Sequence, residues 1–262
     1  AIMGMASMES QGFMGNVPRF ADHFENLHIL SCLNLSSYAF CEEQRYEGTF
    51  VNDNWFYGPS NRKAAAAGFK LVDFIPNNLH QAGGKKIQAL KDEGETIIYW
   101  GPATVLHEPT GYFNLGLSNV YELEAIEAAD VVVLEVNEHV PWIHGDTQVH
   151  ISQVDMIVEH HQELPTIPVL DPGPVEQEIA SHIARLVGDG ATLQIGIGGI
   201  PNAVAALLSD KKDLGIHTEM FTESMIDLFE AGAAMQDRDP TPPDEKTIEE
   251  FLSLLSSPGR LA

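Results

Sequence analysis

Leu193-Gln-Ile-Gly-Ile-Gly-Gly-Ile-Pro-Asn-Ala-Val-Ala-Ala-Leu-Leu208, taken with Leu214-Gly-Ile-His-Thr-Glu-Met-Phe221, is the stretch whose reading decides the fold. An apolar strand runs into a glycine-rich turn, an alanine-rich helix follows, and a second strand delivers the carboxylate of Glu219. Gly196, Gly198 and Gly199 lack Cβ atoms, so the chain can turn sharply and a phosphate or thioester can come close to the backbone N–H groups. Pro201 suits the first helical position, where its missing donor is not needed, and it aims the helix N-terminus at whatever lies above the turn.

The pattern nearly matches the dinucleotide fingerprint. Gly196-x-Gly198 opens a helix, and Glu219 follows about twenty residues on, where a ribose-binding acid belongs. Pro201 occupies the position of the third glycine, so an NAD-binding reading stands as an alternative, beside a tight strand-to-helix turn that only packs.

The combined string, Gly-Ile-Gly-Gly-Ile-Pro-Asn-Ala-Val with Asp213-Leu-Gly-Ile-His-Thr-Glu-Met-Phe, resembles the active-site region of the class I CoA-transferases. The closer likeness is to the acetyl-CoA hydrolase/transferase branch, which includes butyryl-CoA:acetate and 4-hydroxybutyrate CoA-transferases. The resemblance implies that Glu219 is the nucleophile. It also implies that the CoA-contacting loop falls on Gln194, Ile195, Gly196, Ile197 and Gly198, with Gly199 closing the turn.

The likeness extends to Glu108-Pro-Thr-Gly-Tyr-Phe-Asn-Leu-Gly, to Val136-Asn-Glu-His-Val-Pro, and to Val149-His-Ile-Ser with Asp155. It covers most of residues 1–233. Glu108 stands where the family usually has Asp, and Trp142 follows Pro141 where Arg is common.

Composition narrows the partners. The chain has 262 residues, 44% hydrophobic and 20% charged, as in an ordinary globular protein. With 14 Lys and Arg against 38 Asp and Glu, its formal charge of −24 repels a nucleic-acid backbone. No apolar run is long enough to span a membrane, and no basic leader with a cleavage site opens the chain, so a cytoplasmic location is expected. Cys32 and Cys41 are too few for a zinc site or a disulfide framework. They are expected to be reduced and structural. The histidines show no metal-binding spacing, so no metal and no permanently bound cofactor is expected.

Helical and strand-like segments alternate, which predicts an open, mainly parallel α/β sheet. Gly58-Pro-Ser-Asn-Arg-Lys-Ala-Ala-Ala-Ala-Gly reads as a helix, and Val72-Asp-Phe-Ile-Pro and Thr96-Ile-Ile-Tyr-Trp read as strands. Glu122 to Ala129 reads as a short helix leading into Val131-Val-Val-Leu-Glu-Val, a run apolar enough for a strand covered on both faces. After Asp171-Pro-Gly-Pro, the residues Val175, Ile179, Ile183 and Leu186 recur at helical spacing. Acids sit in the first turn at Glu176 and Glu178, and Gly188 and Gly190 end the helix.

Met3-Gly-Met-Ala-Ser-Met-Glu-Ser parallels Ile195-Gly-Ile-Gly-Gly-Ile-Pro-Asn, and Asn26-Leu-His-Ile-Leu-Ser-Cys parallels Asp213-Leu-Gly-Ile-His-Thr-Glu. An internal duplication is therefore expected, with Cys32 at the place of Glu219. Residues 1–171 form a first domain lacking its opening strand and helix, and residues 172–233 begin a second, related one. Residues 234–262 are a polar linker with one short helix, Thr247 to Leu255. The chain is expected to be a piece of a longer polypeptide.

On the resemblance, the reaction moves CoA between a short-chain acyl-CoA and a carboxylic acid such as acetate, through a glutamyl-CoA thioester on Glu219. A glutamate is already ionised at neutral pH, so no separate base is needed, and the turn's N–H groups are candidate oxyanion donors. His217, two residues before Glu219, shares a strand face with it and either orients the site or packs. Glu223 and Asp227 share a solvated helix face, Gln194 and Asn202 are candidate partners for pantetheine amides, and Lys211 and Lys212 are candidates for CoA phosphates. The alternatives are acyl-CoA hydrolysis and a non-catalytic CoA-binding subunit. Expected partners are acyl-CoA, a short-chain acid, and either a second copy or a complementing C-terminal domain.

Overall fold

The computed structural model describes residues 2–3, 8–117, 119–166 and 171–234. The helix and linker expected within residues 234–262 lie outside the described residues, apart from Ala234. The chain divides into two units between Thr166 and Ile167.

In the first unit the elements run β1 (Ile2–Met3), α1 (Gln11–Asn16), β2 (Leu27–Ser31), α2 (Ala39–Glu42), β3 (Phe50–Asn54), α3 (Pro59–Ala66) and β4 (Val72–Phe74). They continue with α4 (Ile87–Asp92), β5 (Ile98–Ala103), β6 (Tyr112–Asn114), α5 (Glu122–Ala128), β7 (Val131–Val136), β8 (Gln148–His150) and β9 (Met156–Glu159). Seven strands form one open sheet in the order β4-β3-β2-β1-β5-β7-β9, every pairing parallel. Strands β6 and β8 make a separate antiparallel ribbon. The fold is thus the open, mainly parallel α/β arrangement that the alternation of segments predicts.

A parallel sheet is covered on both faces, and each face here has its own core. Ile29 and Leu30 are neighbours on β2 and point to opposite sides. Ile29 packs with Phe40, Phe50 and Leu71, whereas Leu30 packs with Tyr99, Phe113 and Leu134. Strand β7 is buried from Val132 onward, and it carries one acid inward, Glu135. That carboxylate accepts from the backbone N–H groups of Gly12 (2.8 Å) and Phe13 (2.9 Å) and from Trp100 Nε1 (3.3 Å). A buried charge is tolerable only when its lone pairs are met in this way. Glu135 caps α1 from more than a hundred residues away.

Cys32 and Cys41 are buried, and burial, with Glu42 adding to it, pushes the Cys41 thiol up to about 12. The strand expected from Thr96 begins its ladder at Ile98 and continues through Gly101-Pro102 to Ala103. Within it Pro102 is paired with Glu135 of β7.

The second unit contains α6 (Pro174–Ala184), β10 (Thr192–Leu193), α7 (Gly199–Ala206), β11 (Gly215–Ile216) and α8 (Glu223–Glu230). Strands β10 and β11 pair in parallel. Their core gathers Ile195, Ala205, Leu208, Leu214, Met225 and Leu228. The apolar stripe of α6 faces outward: Val175 is 69% and Leu186 86% exposed. Ala180 and Ala184 are its buried residues, because small side chains let the backbone of α6 come close to its neighbour. Its last helical residue is Ala184, four before Gly188.

The two units share a local conformation where the sequence parallels itself. Asn26 (φ 53°) and Asp213 (φ 57°) are the two non-glycine residues with positive φ among the described residues. Each opens a strand whose next residue bonds to the approach of the following one: Leu27 N to Thr49 O, and Leu214 N to Ala233 O. A left-handed glycine precedes each acceptor, Gly48 (φ 83°) and Gly232 (φ 75°). The ladder equates Ile2 with Leu193, one residue from the match read in the sequence.

Candidate active site

The glycine turn lies between β10 and α7, and Glu219 lies just beyond β11. Both therefore leave the carboxyl edge of the same parallel pair, the edge at which open α/β sheets take ligands. The rungs are Thr192–Gly215 and Leu193–Ile216, followed by the bond from His217 N to Leu193 O (2.9 Å). One step further, Thr218 Oγ1 donates to Ile195 O at 3.1 Å. Gly196 and Glu219 are the residues that follow Ile195 and Thr218 along the two segments. Glu219 sits in a bend and is exposed, so it is not on a strand as the sequence reading has it. Strand β11 has ended at Ile216, and the last main-chain bond to β10 comes from His217 N. His217 is likewise past the strand and exposed, which removes the strand face it was expected to share with Glu219.

Within the turn, Ile195 is buried and anchors the loop in the core, whereas Gln194, Gly196 and Ile197 are exposed and Gly198 and Gly199 half-buried. Two of the three glycines have a physical reason within the chain. Gly198 holds φ 132° and ψ 177°, a region that side chains avoid. Gly199 has an ordinary torsion, but a Cβ there would lie 2.6–2.8 Å from the Glu176 carboxylate. At Gly196 neither reason applies, since a Cβ would meet only Pro201 Cγ at 3.9 Å. Gly198→Ala is therefore expected to lower the stability of this unit by about 1–3 kcal/mol, and Gly196→Ala to leave it unchanged, as read by urea unfolding.

Helix α7 starts at Gly199, so Pro201 is its third residue and not its first. The placement costs nothing, because the first four N–H groups of a helix have no intrahelical acceptor. Asn202 N already bonds to Gly198 O, closing the first turn. Lys211 and Lys212 follow the far end of α7, about 12 Å from the turn at 1.5 Å per residue, and are not brought to the site. Glu223 and Asp227 lie on exposed positions of α8.

Two residues that sequence reasoning passed over hold the turn. Thr218 pins its first residue, and Glu176, whose Oε2 accepts from Gly173 N at 2.6 Å, packs its carboxylate on Gly199. Thr218 was in view inside the quoted string. In the sequence Glu176 marks only a first-turn acid, and nothing local signals its contact with Gly199.

Among the described residues no group of three His, Cys, Asp or Glu side chains is placed to hold a metal ion, and no helix is long and apolar enough to cross a membrane. The first unit's open parallel sheet makes this an α/β protein, and in the second unit a glycine turn and a carboxylate leave the same end of a parallel strand pair. More specifically, the chain belongs to the acetyl-CoA hydrolase/transferase family, whose N-terminal domain matches residues 15–170. The glycine turn and Glu219 lie outside that matched span.

Two of the similar curated relatives illustrate the likeness. The succinyl-CoA:cyclohexane-1-carboxylate CoA transferase of Geobacter metallireducens is 39% identical over 192 residues, which are 71% of this chain and 41% of the relative. The butyryl-CoA:acetate CoA-transferase of Anaerostipes caccae is 45% identical over 191 residues, 70% of this chain and 41% of the relative. Among solved structures, RipA from Yersinia pestis superposes with a TM-score of 0.81 at 28% identity, covering 92% of this chain and 57% of RipA. The chain thus spans about two fifths of the length of the two curated relatives.

Proposed function

We propose that this chain carries the nucleophile and the CoA-contacting turn of a CoA-transferase, with Glu219 as the nucleophile and Gln194, Ile195, Gly196, Ile197, Gly198 and Gly199 as the turn. The substrates are a short-chain acyl-CoA and a carboxylic acid such as acetate, handled in the cytoplasm without a resident cofactor. The observation that carries the reading is the common strand edge from which Glu219 and the Gly196–Gly199 turn both emerge. Gly196 supports it further, because close approach from outside is what a side chain there would hinder.

The Glu219 carboxylate attacks the thioester carbonyl, the C–S bond breaks, and CoA leaves as thiolate from an acyl-glutamyl anhydride. The thiolate then attacks the glutamyl carbon, giving the glutamyl-CoA thioester and releasing the acyl group as a carboxylate. An incoming acid reverses both steps, so no proton has to be moved. N–H groups of the turn stabilise the tetrahedral oxyanions, and their fixed orientation is what makes them effective.

Acyl-CoA consumption with and without acetate tests this reading. Transfer predicts consumption that depends on acetate and yields acetyl-CoA in equal amount. Consumption that ignores acetate and yields free CoA would replace the reading with hydrolysis. Gly196→Ala is expected to weaken acyl-CoA binding about tenfold, the penalty of a methyl group at a site of close approach.

A further inference from the structure

The segment bearing Glu219 and the glycine turn are joined across the strand edge by the hydroxyl of Thr218. In a regular parallel ladder the carbonyls of β10 would take successive alternate N–H groups from β11. Gly215 N bonds to Ala191 O and His217 N to Leu193 O, so the next rung would run from Glu219 N to Ile195 O. At that carbonyl the Thr218 side chain donates instead, at 3.1 Å. The main chain is thereby free to bend at Glu219 while remaining tied to the turn.

From this geometry we propose, resting on the assignment of Glu219 above, that Thr218 is a positioning residue for the transfer reaction. It acts by holding the nucleophile at a set distance from the turn's N–H donors. The turn is held at two points. Ile195 is buried and bonded to Thr218, and Gly199 is packed against the Glu176 carboxylate, while Gly196 and Ile197 between them face outward. Of these two contacts, the Thr218 bond comes from the residue covalently joined to Glu219. Loss of it lets the two halves of the site move independently, and misplacement by about an ångström is enough to slow a reaction severely.

Thr218→Val keeps the volume and the β-branching and removes the donor, and Thr218→Ser keeps the donor. Two readouts apply to the full chain. Hydrogen exchange of the peptide spanning residues 194–199 is expected to quicken about fivefold in Thr218→Val, the effect of one lost hydrogen bond, and to return to the wild-type rate in Thr218→Ser. The rate of CoA attachment to Glu219 at saturating butyryl-CoA is expected to fall about tenfold in Thr218→Val with little change in the half-saturating concentration, and the serine variant restores it.

Wild-type exchange at 194–199 in Thr218→Val overturns the tether. Quickened exchange with an unchanged attachment rate overturns its part in the reaction. Failure of the wild-type chain to attach CoA removes the Glu219 assignment and the reaction role with it, while the exchange comparison still decides whether Thr218 holds the turn. A thermal midpoint matching the wild type in both variants establishes that folding is intact. If Thr218→Val does not fold, an unchanged attachment rate in Thr218→Ala is the overturning result.

Discussion

Glu219→Gln is expected to abolish CoA attachment to the chain and to lower acetate-dependent CoA transfer about a thousandfold or more. The substitution is nearly isosteric and sits in an exposed bend, so the fold has no reason to change. What changes is the chemistry. An amide is too weak a nucleophile to attack a thioester, and its carbonyl cannot return as a free carboxylate after the second half-reaction. Because the charge is lost without volume, the effect falls on the attachment rate and not on the affinity for acyl-CoA. Rapid-quench measurement of acyl-CoA consumption, beside equilibrium binding of CoA, separates the two. Equal rates for the wild type and Glu219→Gln would remove Glu219 from the reaction.

The second large effect is on stability, and it lies in the first unit. Glu135→Ala is expected to destabilise that unit by about 2–4 kcal/mol, seen as a lower urea midpoint. Glu135 is buried on β7, and its two oxygens satisfy the N–H groups of Gly12 and Phe13 at the start of α1. The same carboxylate meets Trp100 Nε1, and the Trp100 ring stacks on Phe13 with centroids 4.5 Å apart. Removing it leaves half-buried donors without an acceptor and opens a space between α1 and the sheet, and the two penalties add. A change below about 0.5 kcal/mol would show that Glu135 is not the cap that holds α1.

Much of the architecture was legible because it depends on local signals. The run from Val131 to Val136 is apolar enough to demand burial on both faces, and Gly58-Pro59 marks the start of α3 with a fixed φ and a free cap. The stripe on α6 illustrates what periodicity leaves open. It identified one apolar face, but the buried contacts are made by Ala180 and Ala184, whose small size matters only once a neighbouring helix is in place. Glu135 was equally hidden, since a charge in a central strand has meaning only through partners from more than a hundred residues away. In the site, the glycine string pointed to a turn, but it could not assign Gly198 to its torsion and Gly199 to its neighbour. The bend at Glu219 was missed because it depends on a side-chain bond, from Thr218, that ends a ladder the strand pattern would extend.

The central claim is that Glu219 carries CoA between half-reactions, and peptide-mapping mass spectrometry after incubation with butyryl-CoA tests it most directly. The account predicts a CoA-sized adduct on the peptide containing Glu219, absent from Glu219→Gln and discharged by added acetate. A folded chain that binds butyryl-CoA and consumes it in the presence of acetate, yet carries no adduct on that peptide, would contradict it.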